Sequence, residues 1–295
     1  MGPIRTTGHV DRPWRTPTIA AMRLAFDAAG TERGPAVVLL HGLSDCRESY
    51  EPVVEHLVAQ GRRVLNVDLR GHGGSDRADR YRAVDYATDV AELIEAEDAA
   101  PAIVVGHSLG GLTASALASL APGAVGALFM EDPPLYEGDD EIRNSSPAAS
   151  FFPVLVERAR TWQAAGTPVA EVAEVVGAAP SPYGSTALER LGPERVAARA
   201  RALLAFDPAT MEAAIDGEVW TGYDPSAPMP CPVTVLQADP SVGGVFLPEH
   251  AEWFAAAVPH ARIELVAGLS HAIHGDPEGL PLYLATLDEF LTSAP

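Results

Sequence analysis

One short stretch, Gly-His-Ser-Leu-Gly at 106–110, constrains the fold more than any other part of the chain. It follows an apolar run at 102–106 that is typical of a buried strand, and it leads into an Ala-rich apolar run at 109–120 that is typical of a helix. In a strand-to-helix turn of the type G-x-S-x-G, the glycines permit a sharp turn that holds the serine hydroxyl above the sheet. The pattern therefore predicts a nucleophilic Ser108 at a helix N-terminus, where free N–H groups and the helix dipole stabilise an oxyanion.

Strand-like and helix-like patterns alternate on both sides of this turn. Strands are predicted at 36–40, 63–68, 102–106, 125–130, 232–237 and 263–266, with a first pair of strands within 18–29. Helices are predicted at 48–60, 84–96, 109–120 and 281–292. This alternation favours an α/β fold with a mostly parallel, doubly wound sheet. The uncharged stretch 99–130 is long enough to span a bilayer, but its Gly and Pro residues favour a buried strand, helix and strand.

The alternation stops between 133 and 230, where the pattern is mostly helical. We predict a helical cap at 133–230, inserted after strand 6 and covering the carboxyl ends of the strands, where such folds bind ligands. The remaining chain divides into an N-terminal arm at 1–17 and a core formed by 18–132 and 231–295. Four aromatic residues of the cap are candidates for lining an apolar substrate pocket: Trp162, Tyr183, Phe206 and Trp220.

The net charge of the chain indicates which kinds of partner it can bind. Forty acidic residues face twenty basic ones, all arginine, for a net charge of −20. Nucleic acids and anionic membranes are disfavoured as partners because both require basic surface. Two cysteines form no disulfide framework, and the first 17 residues lack the apolar segment of a secretory signal, so a cytoplasmic location is expected. The expected partner is a small-molecule substrate, and a homodimer is left open.

A serine hydroxyl needs a base to become nucleophilic at neutral pH. His271 and His274 follow the last predicted strand, in a loop that can reach the end of the sheet. We favour His271 because it lies nearer the strand end, with His274 as the alternative. Together with Asp276 these histidines could also bind a metal, but no second cluster completes a site, so neither metal nor cofactor is predicted.

Four motifs together resemble the α/β-hydrolase superfamily: HG at 41–42, RGHGGSD at 70–76, GHSLGG at 106–111 and GLSHAIH at 268–274. The resemblance implies a serine hydrolase with a cap and no cofactor. It also implies that the backbone N–H groups of Leu43 and Leu109 form the oxyanion hole.

The acid that orients the imidazole is ambiguous in the sequence. By the resemblance, an acid often lies a few residues after the seventh strand, where this chain has Ser241, with Asp239 two residues earlier. Other members place it directly after the sixth strand, where Glu131 and Asp132 stand here. We favour Asp132, which lies 24 residues after Ser108, with Asp239 and Glu131 as alternatives.

A weaker resemblance concerns zearalenone lactonases. Gly-Leu-Ser-Asp-Cys at 42–46 is similar to their Gly-Leu-Gly-Glu-Cys, although this chain has His-Gly where they have Asp-Gly. The predicted function is hydrolysis of an ester or lactone of a small apolar molecule through an acyl-enzyme, with a zearalenone-like macrolactone as one candidate. The alternatives are a C–C bond hydrolase or cofactor-free haloperoxidase, and, less favoured, a ligand receptor on the same fold, which turnover would distinguish.

Overall fold

A computed structural model describes residues 22–32, 36–146 and 148–293, and the backbone of 6–9. Its centre is an eight-stranded sheet in the order β1-β2-β4-β3-β5-β6-β7-β8. The strands are β1 Thr6–His9, β2 Ala25–Ala29, β3 Ala36–Leu40, β4 Arg63–Val67, β5 Ala102–His107, β6 Val125–Glu131, β7 Val233–Ala238 and β8 Arg262–Val266. Strands β3 to β8 are mutually parallel, so the predicted mostly parallel sheet is confirmed.

The antiparallel edge differs from the prediction. Strand β2 lies within 18–29, but its antiparallel partner β1 lies at Thr6–His9, inside the predicted arm. Residues 10–21 lie outside the described part of the chain. The four residues of β1 (TTGH) carry no alternation of apolar and polar side chains, so the pattern gave no sign of a strand there.

Helices cover both faces of the sheet. They are α1 Glu51–Ala59, α2 Ala83–Ala96, α3 Leu109–Leu120, α4 Asp140–Ser145, α5 Ala148–Ala165, α6 Val169–Ala178, α7 Ala187–Ala205, α8 Pro208–Ile215, α9 Pro248–Ala257 and α10 Leu280–Ser293. One core lies between the sheet and α2, α3 and α9, and a second lies between the sheet and α1 and α10. Successive side chains of β3 enter different cores, Val37 one and Val38 the other, because a strand alternates its faces.

The insertion between β6 and β7 is helical, as predicted, and contains α4 to α8. It has a small apolar core of its own, formed by Leu155, Val156, Ala159, Leu203, Phe206 and Met211. Helix α7 is kinked at Gly192, directly before Pro193. Among the helices of the described residues, none has the length and apolarity needed to cross a bilayer.

Candidate active site

Ser108 occupies the turn between β5 and α3 with φ 51° and ψ −115°, a backbone conformation that L-residues rarely adopt. Glycine is required on both sides of it. A Cβ on Gly106 would lie 2.3 Å from the carbonyl oxygen of Gly110, and a Cβ on Gly110 would lie 2.0 Å from that of Leu40. The turn is therefore tight enough to place Ser108 at the N-terminus of α3, where the first N–H groups have no partner within the helix.

His107 connects this turn to the loop that carries His271. Its Nε2 lies 3.1 Å from the backbone oxygen of His271, with the ring nitrogen as donor. Burial lowers the pKa of His107 well below its ordinary value, so the ring is neutral at pH 7. His107 thus holds the loop of His271 against the turn that carries Ser108.

Asp132 lies directly after β6, fully buried and with φ 43°. Its carboxylate accepts backbone N–H bonds from Ala238 (3.3 Å), Val245 (2.8 Å) and Phe246 (3.0 Å). Its Oδ2 also lies 2.6 Å from Nδ1 of His271. The three backbone donors fix the orientation of the carboxylate toward the imidazole.

The bond to Asp132 raises the pKa of His271 and determines which of its ring nitrogens is free to act as a base. Burial lowers the pKa of the imidazole, but the hydrogen bond and charge of Asp132 raise it, and the net pKa lies above its ordinary value. Because Nδ1 is engaged by the carboxylate, Nε2 is the nitrogen that remains to accept a proton.

Glu131 and His274 form a second acid–histidine pair, on the other side of β6. Glu131 accepts bonds from the N–H and Nδ1 of His274, at 2.9 and 2.6 Å. Both side chains are buried, and the His274 ring stacks on Tyr50 at 4.4 Å. The two alternatives from the sequence are therefore bonded to each other, away from the cavity that His271 lines.

Asp239 has different partners. Its side chain accepts N–H bonds from Ser241 (2.9 Å) and Gly268 (2.8 Å), which closes the turn after β7. Asp276, weighed as a metal ligand, forms a two-pronged salt bridge with Arg190 at 2.7 and 2.8 Å. Among the residues that the structure describes, neither carboxylate is bonded to an imidazole.

Ser108 and His271 line one small cavity of about 60 Å³ beneath the cap, together with both predicted oxyanion residues, Leu43 and Leu109. Most of the remaining lining is apolar: Leu112, Pro134, Ala148, Phe152, Ala214, Val219, Trp220 and Val245. One acidic residue, Glu137, also lines it.

Of the four aromatic residues predicted to line the pocket, Trp220 borders this cavity. Phe206 lies in the apolar core of the cap, and Trp162 packs against that core. The Tyr183 hydroxyl accepts the N–H of Ser270 at 2.8 Å and so contacts the loop of His271. The sequence predicted that Trp162, Phe206 and Tyr183 line the pocket, but none of them borders this cavity. Their rings serve packing of the cap and contact with the loop of His271 instead.

The model of the alpha/beta hydrolase family matches residues 37–280. The chain belongs to this family. It is a hydrolase of the α/β type, as the four motifs predicted.

Three proteins are similar to this chain in sequence or in fold. The chain is 32% identical over 118 residues to an sn-1-specific diacylglycerol lipase of Xenopus tropicalis, a match that spans 39% of this chain and 36% of the lipase. It shares its fold with a thermophilic esterase from Thermogutta terrifontis (TM-score 0.68, 22% identity, 98% of each chain). It also shares its fold with an enol-lactonase from Burkholderia xenovorans (TM-score 0.66, 22% identity, 92% of this chain and 97% of that one).

In this α/β hydrolase, two residues hold Ser44, the neighbour of Leu43: His72, from the RGHGGSD motif, and Arg199, which the sequence did not single out. The Nε2 of His72 accepts the Ser44 N–H at 3.2 Å, and burial lowers the pKa of His72 to about 3, which keeps the ring neutral. From cap helix α7, Arg199 donates to the carbonyl oxygen of Ser44 (2.6 Å) and to its Oγ (2.9 Å). Only the fold brings these residues together, since Arg199 lies 155 positions from Ser44.

Replacing Arg199 by methionine is expected to lower kcat for ester hydrolysis roughly 10- to 100-fold with little change in KM, because a displaced oxyanion donor weakens transition-state binding. Arg201 on the same helix provides the control. It bonds exposed Glu48 at 2.7 Å, so Arg201→Met is expected to stay within about twofold of the wild type. Equal losses of kcat in both variants would show that activity depends on attachment of the cap and not on the hydrogen bonds from Arg199 to Ser44.

Proposed function

We propose that this α/β hydrolase is a serine hydrolase that cleaves esters or lactones of small, mostly apolar acyl groups. One observation carries the proposal. Ser108 at the N-terminus of α3 shares a cavity with His271, and the Nδ1 of that imidazole is bonded to the buried Asp132 at 2.6 Å. A nucleophile, a base and an orienting acid meet in this arrangement.

In the proposed mechanism, Nε2 of His271 takes the proton of Ser108 as the Oγ attacks the carbonyl carbon. The N–H groups of Leu43 and Leu109 stabilise the resulting oxyanion. When the tetrahedral intermediate collapses, His271 passes the proton to the leaving alkoxide, which departs as the alcohol, or remains tethered if the substrate is a lactone. Water, deprotonated by His271, then hydrolyses the acyl-enzyme and regenerates Ser108.

The size of the cavity supports small acyl groups. Its volume of about 60 Å³ is far below the roughly 300–1,000 Å³ of pockets that enclose drug-sized ligands. A zearalenone-like macrolactone would have to displace the cap to reach Ser108. We therefore rank short-chain esters and small lactones ahead of macrolactones.

Burst kinetics test the proposal. The purified chain is mixed with p-nitrophenyl acetate and butyrate, and in parallel with δ-valerolactone and zearalenone. We expect a burst of nitrophenol of one equivalent per active site, followed by turnover, with the butyrate and the small lactone cleaved faster than zearalenone. A folded protein that binds these compounds without turnover would favour a receptor, and inertness toward all of them would favour C–C bond hydrolysis.

A further inference from the structure

Glu137 is a buried acid that the proposed mechanism does not use. It lies in the first turn of chain after β6, its side chain is only 7% exposed, and it lines the cavity that holds Ser108 and His271. Burial raises the pKa of its carboxyl group to about 7, although the charge of His271 works against the shift. Such a group is costly to keep in an apolar lining unless something compensates its charge.

Among the described residues no arginine forms a salt bridge with the Glu137 carboxylate. The guanidinium of Arg143 is bonded elsewhere, to the carbonyl oxygen of Glu137 at 3.0 Å and to the Asp140 carboxylate at 2.5 Å. A hydrogen bond with the Ser146 hydroxyl lowers the pKa of Glu137, but a hydroxyl carries no charge. The charges of His271 and Arg143 favour the ionised carboxylate and that of Asp132 opposes it, but burial outweighs them. A cationic group that enters the cavity would therefore meet an acid that has no salt-bridge partner among the described residues.

Two aromatic rings, Phe152 and Trp220, border the same cavity. The indole Nε1 of Trp220 donates to the carbonyl oxygen of Pro134 at 2.8 Å, which fixes the ring in place. A carboxylate and aromatic rings that line one mostly apolar cavity can bind an ammonium group through charge and cation–π attraction together.

We propose that Glu137, with Phe152 and Trp220, selects ester substrates that carry an ammonium group near the scissile bond. This inference rests on the proposed serine hydrolase function and adds the class of substrate. A carboxylate-bearing substrate would be repelled by Glu137.

Two esters of equal shape test the selection. The first, p-nitrophenyl 4-(trimethylammonio)butanoate, is cationic; the second, p-nitrophenyl 5,5-dimethylhexanoate, has carbon in place of the nitrogen. At pH 8, where Glu137 is ionised, we expect kcat/KM for the cationic ester to exceed that for the neutral one by about 10- to 100-fold. In Glu137→Gln this ratio is expected to fall to about 1–3.

The pH dependence of the same ratio gives a second readout. His271 must be neutral for both esters, so its titration cancels in the ratio, as do the effects of Asp132 and Glu131, which also face that imidazole. The ratio is therefore expected to fall between pH 8 and pH 6 as Glu137 takes up a proton, and to stay flat in Glu137→Gln. Because the charge of Glu137 also raises the pKa of His271, the acid limb of kcat/KM should move to lower pH in this variant.

Glu141→Gln is the matched control, since Glu141 is an exposed acid in α4 that does not line the cavity. It removes the same charge from the cap and should leave the ratio at its wild-type value. An unchanged ratio in Glu137→Gln, with the neutral ester still hydrolysed, would overturn the selection and leave the hydrolase function standing. If the wild type hydrolyses p-nitrophenyl butyrate but neither of these larger esters, the selection is overturned and the hydrolase function stands. If p-nitrophenyl butyrate is not hydrolysed either, the hydrolase function is overturned.

Discussion

Replacing Ser108 by alanine is expected to lower kcat for p-nitrophenyl butyrate by roughly ten-thousand- to million-fold, the loss seen when a catalytic serine is removed. The change deletes the attacking Oγ and leaves no second nucleophile in the cavity, whose lining is otherwise apolar apart from His271 and Glu137. The burst of nitrophenol should vanish together with turnover. Stopped-flow absorbance measures both.

The same variant should fold. Alanine fits the space of serine, and the backbone bond from the N–H of residue 108 to the carbonyl oxygen of Glu131, 2.9 Å long in the wild type, does not involve the side chain. The positive φ strains alanine and serine alike. Circular dichroism and thermal denaturation check the fold. Substantial turnover by a folded Ser108→Ala protein would contradict the mechanism.

Replacing Asp132 by asparagine is expected to lower kcat by about a thousand- to ten-thousand-fold. An amide in place of Oδ2 would donate to Nδ1 of His271, which fixes the proton on Nε2, where a base must have none. The loss of the carboxylate also lowers the pKa of His271, so the acid limb of kcat/KM should move to lower pH while its plateau falls. A kcat/KM profile from pH 5 to 9 measures both effects.

Asp239→Asn provides the comparison, because Asp239 is the other aspartate that the sequence left open. Its Oδ1 accepts the N–H of Ser241 and its Oδ2 the N–H of Gly268, and asparagine keeps an oxygen for only one of them. The substitution weakens this turn but leaves the bond between Asp132 and His271 in place, so kcat should change less than threefold. In Asp132→Asn the new NH2 group can also face the N–H of Val245, which places two donors against each other. The melting temperature of this variant must therefore be measured together with its activity. A larger loss of kcat in Asp239→Asn than in Asp132→Asn would move the acid to the end of β7.

Much of the fold could be predicted from local patterns. The strand, turn and helix around Ser108 need only residues 102–120, and the structure has β5 and α3 at those positions. The parallel sheet and the inserted helical cap also followed from the change in periodicity along the chain. Strand β1 and helix α9 were missed because β1 is short and polar and the 248–257 stretch mixes apolar and charged residues without a clear stripe.

The partners of the histidines depend on contacts that no local pattern reports. Glu131 and Asp132 are neighbours, and His271 and His274 are three residues apart, so the sequence allows either pairing. The structure pairs Asp132 with His271 across 139 positions and Glu131 with His274 across 143. Glu131 is the last residue of β6, whereas Asp132 follows the strand with φ 43°, so the two carboxylates leave the end of the strand in different directions.

The sequence by itself therefore determined the class of chemistry: a serine on a sharp strand-to-helix turn, a histidine loop after the last strand and a cap above them. Only the tertiary structure decided which acid meets His271, that Arg199 holds Ser44, and that Glu137 enters the cavity. The reason is physical. A turn and a helix are set by interactions between near neighbours, whereas a hydrogen bond between distant residues exists only after the sheet has brought the ends of its strands together.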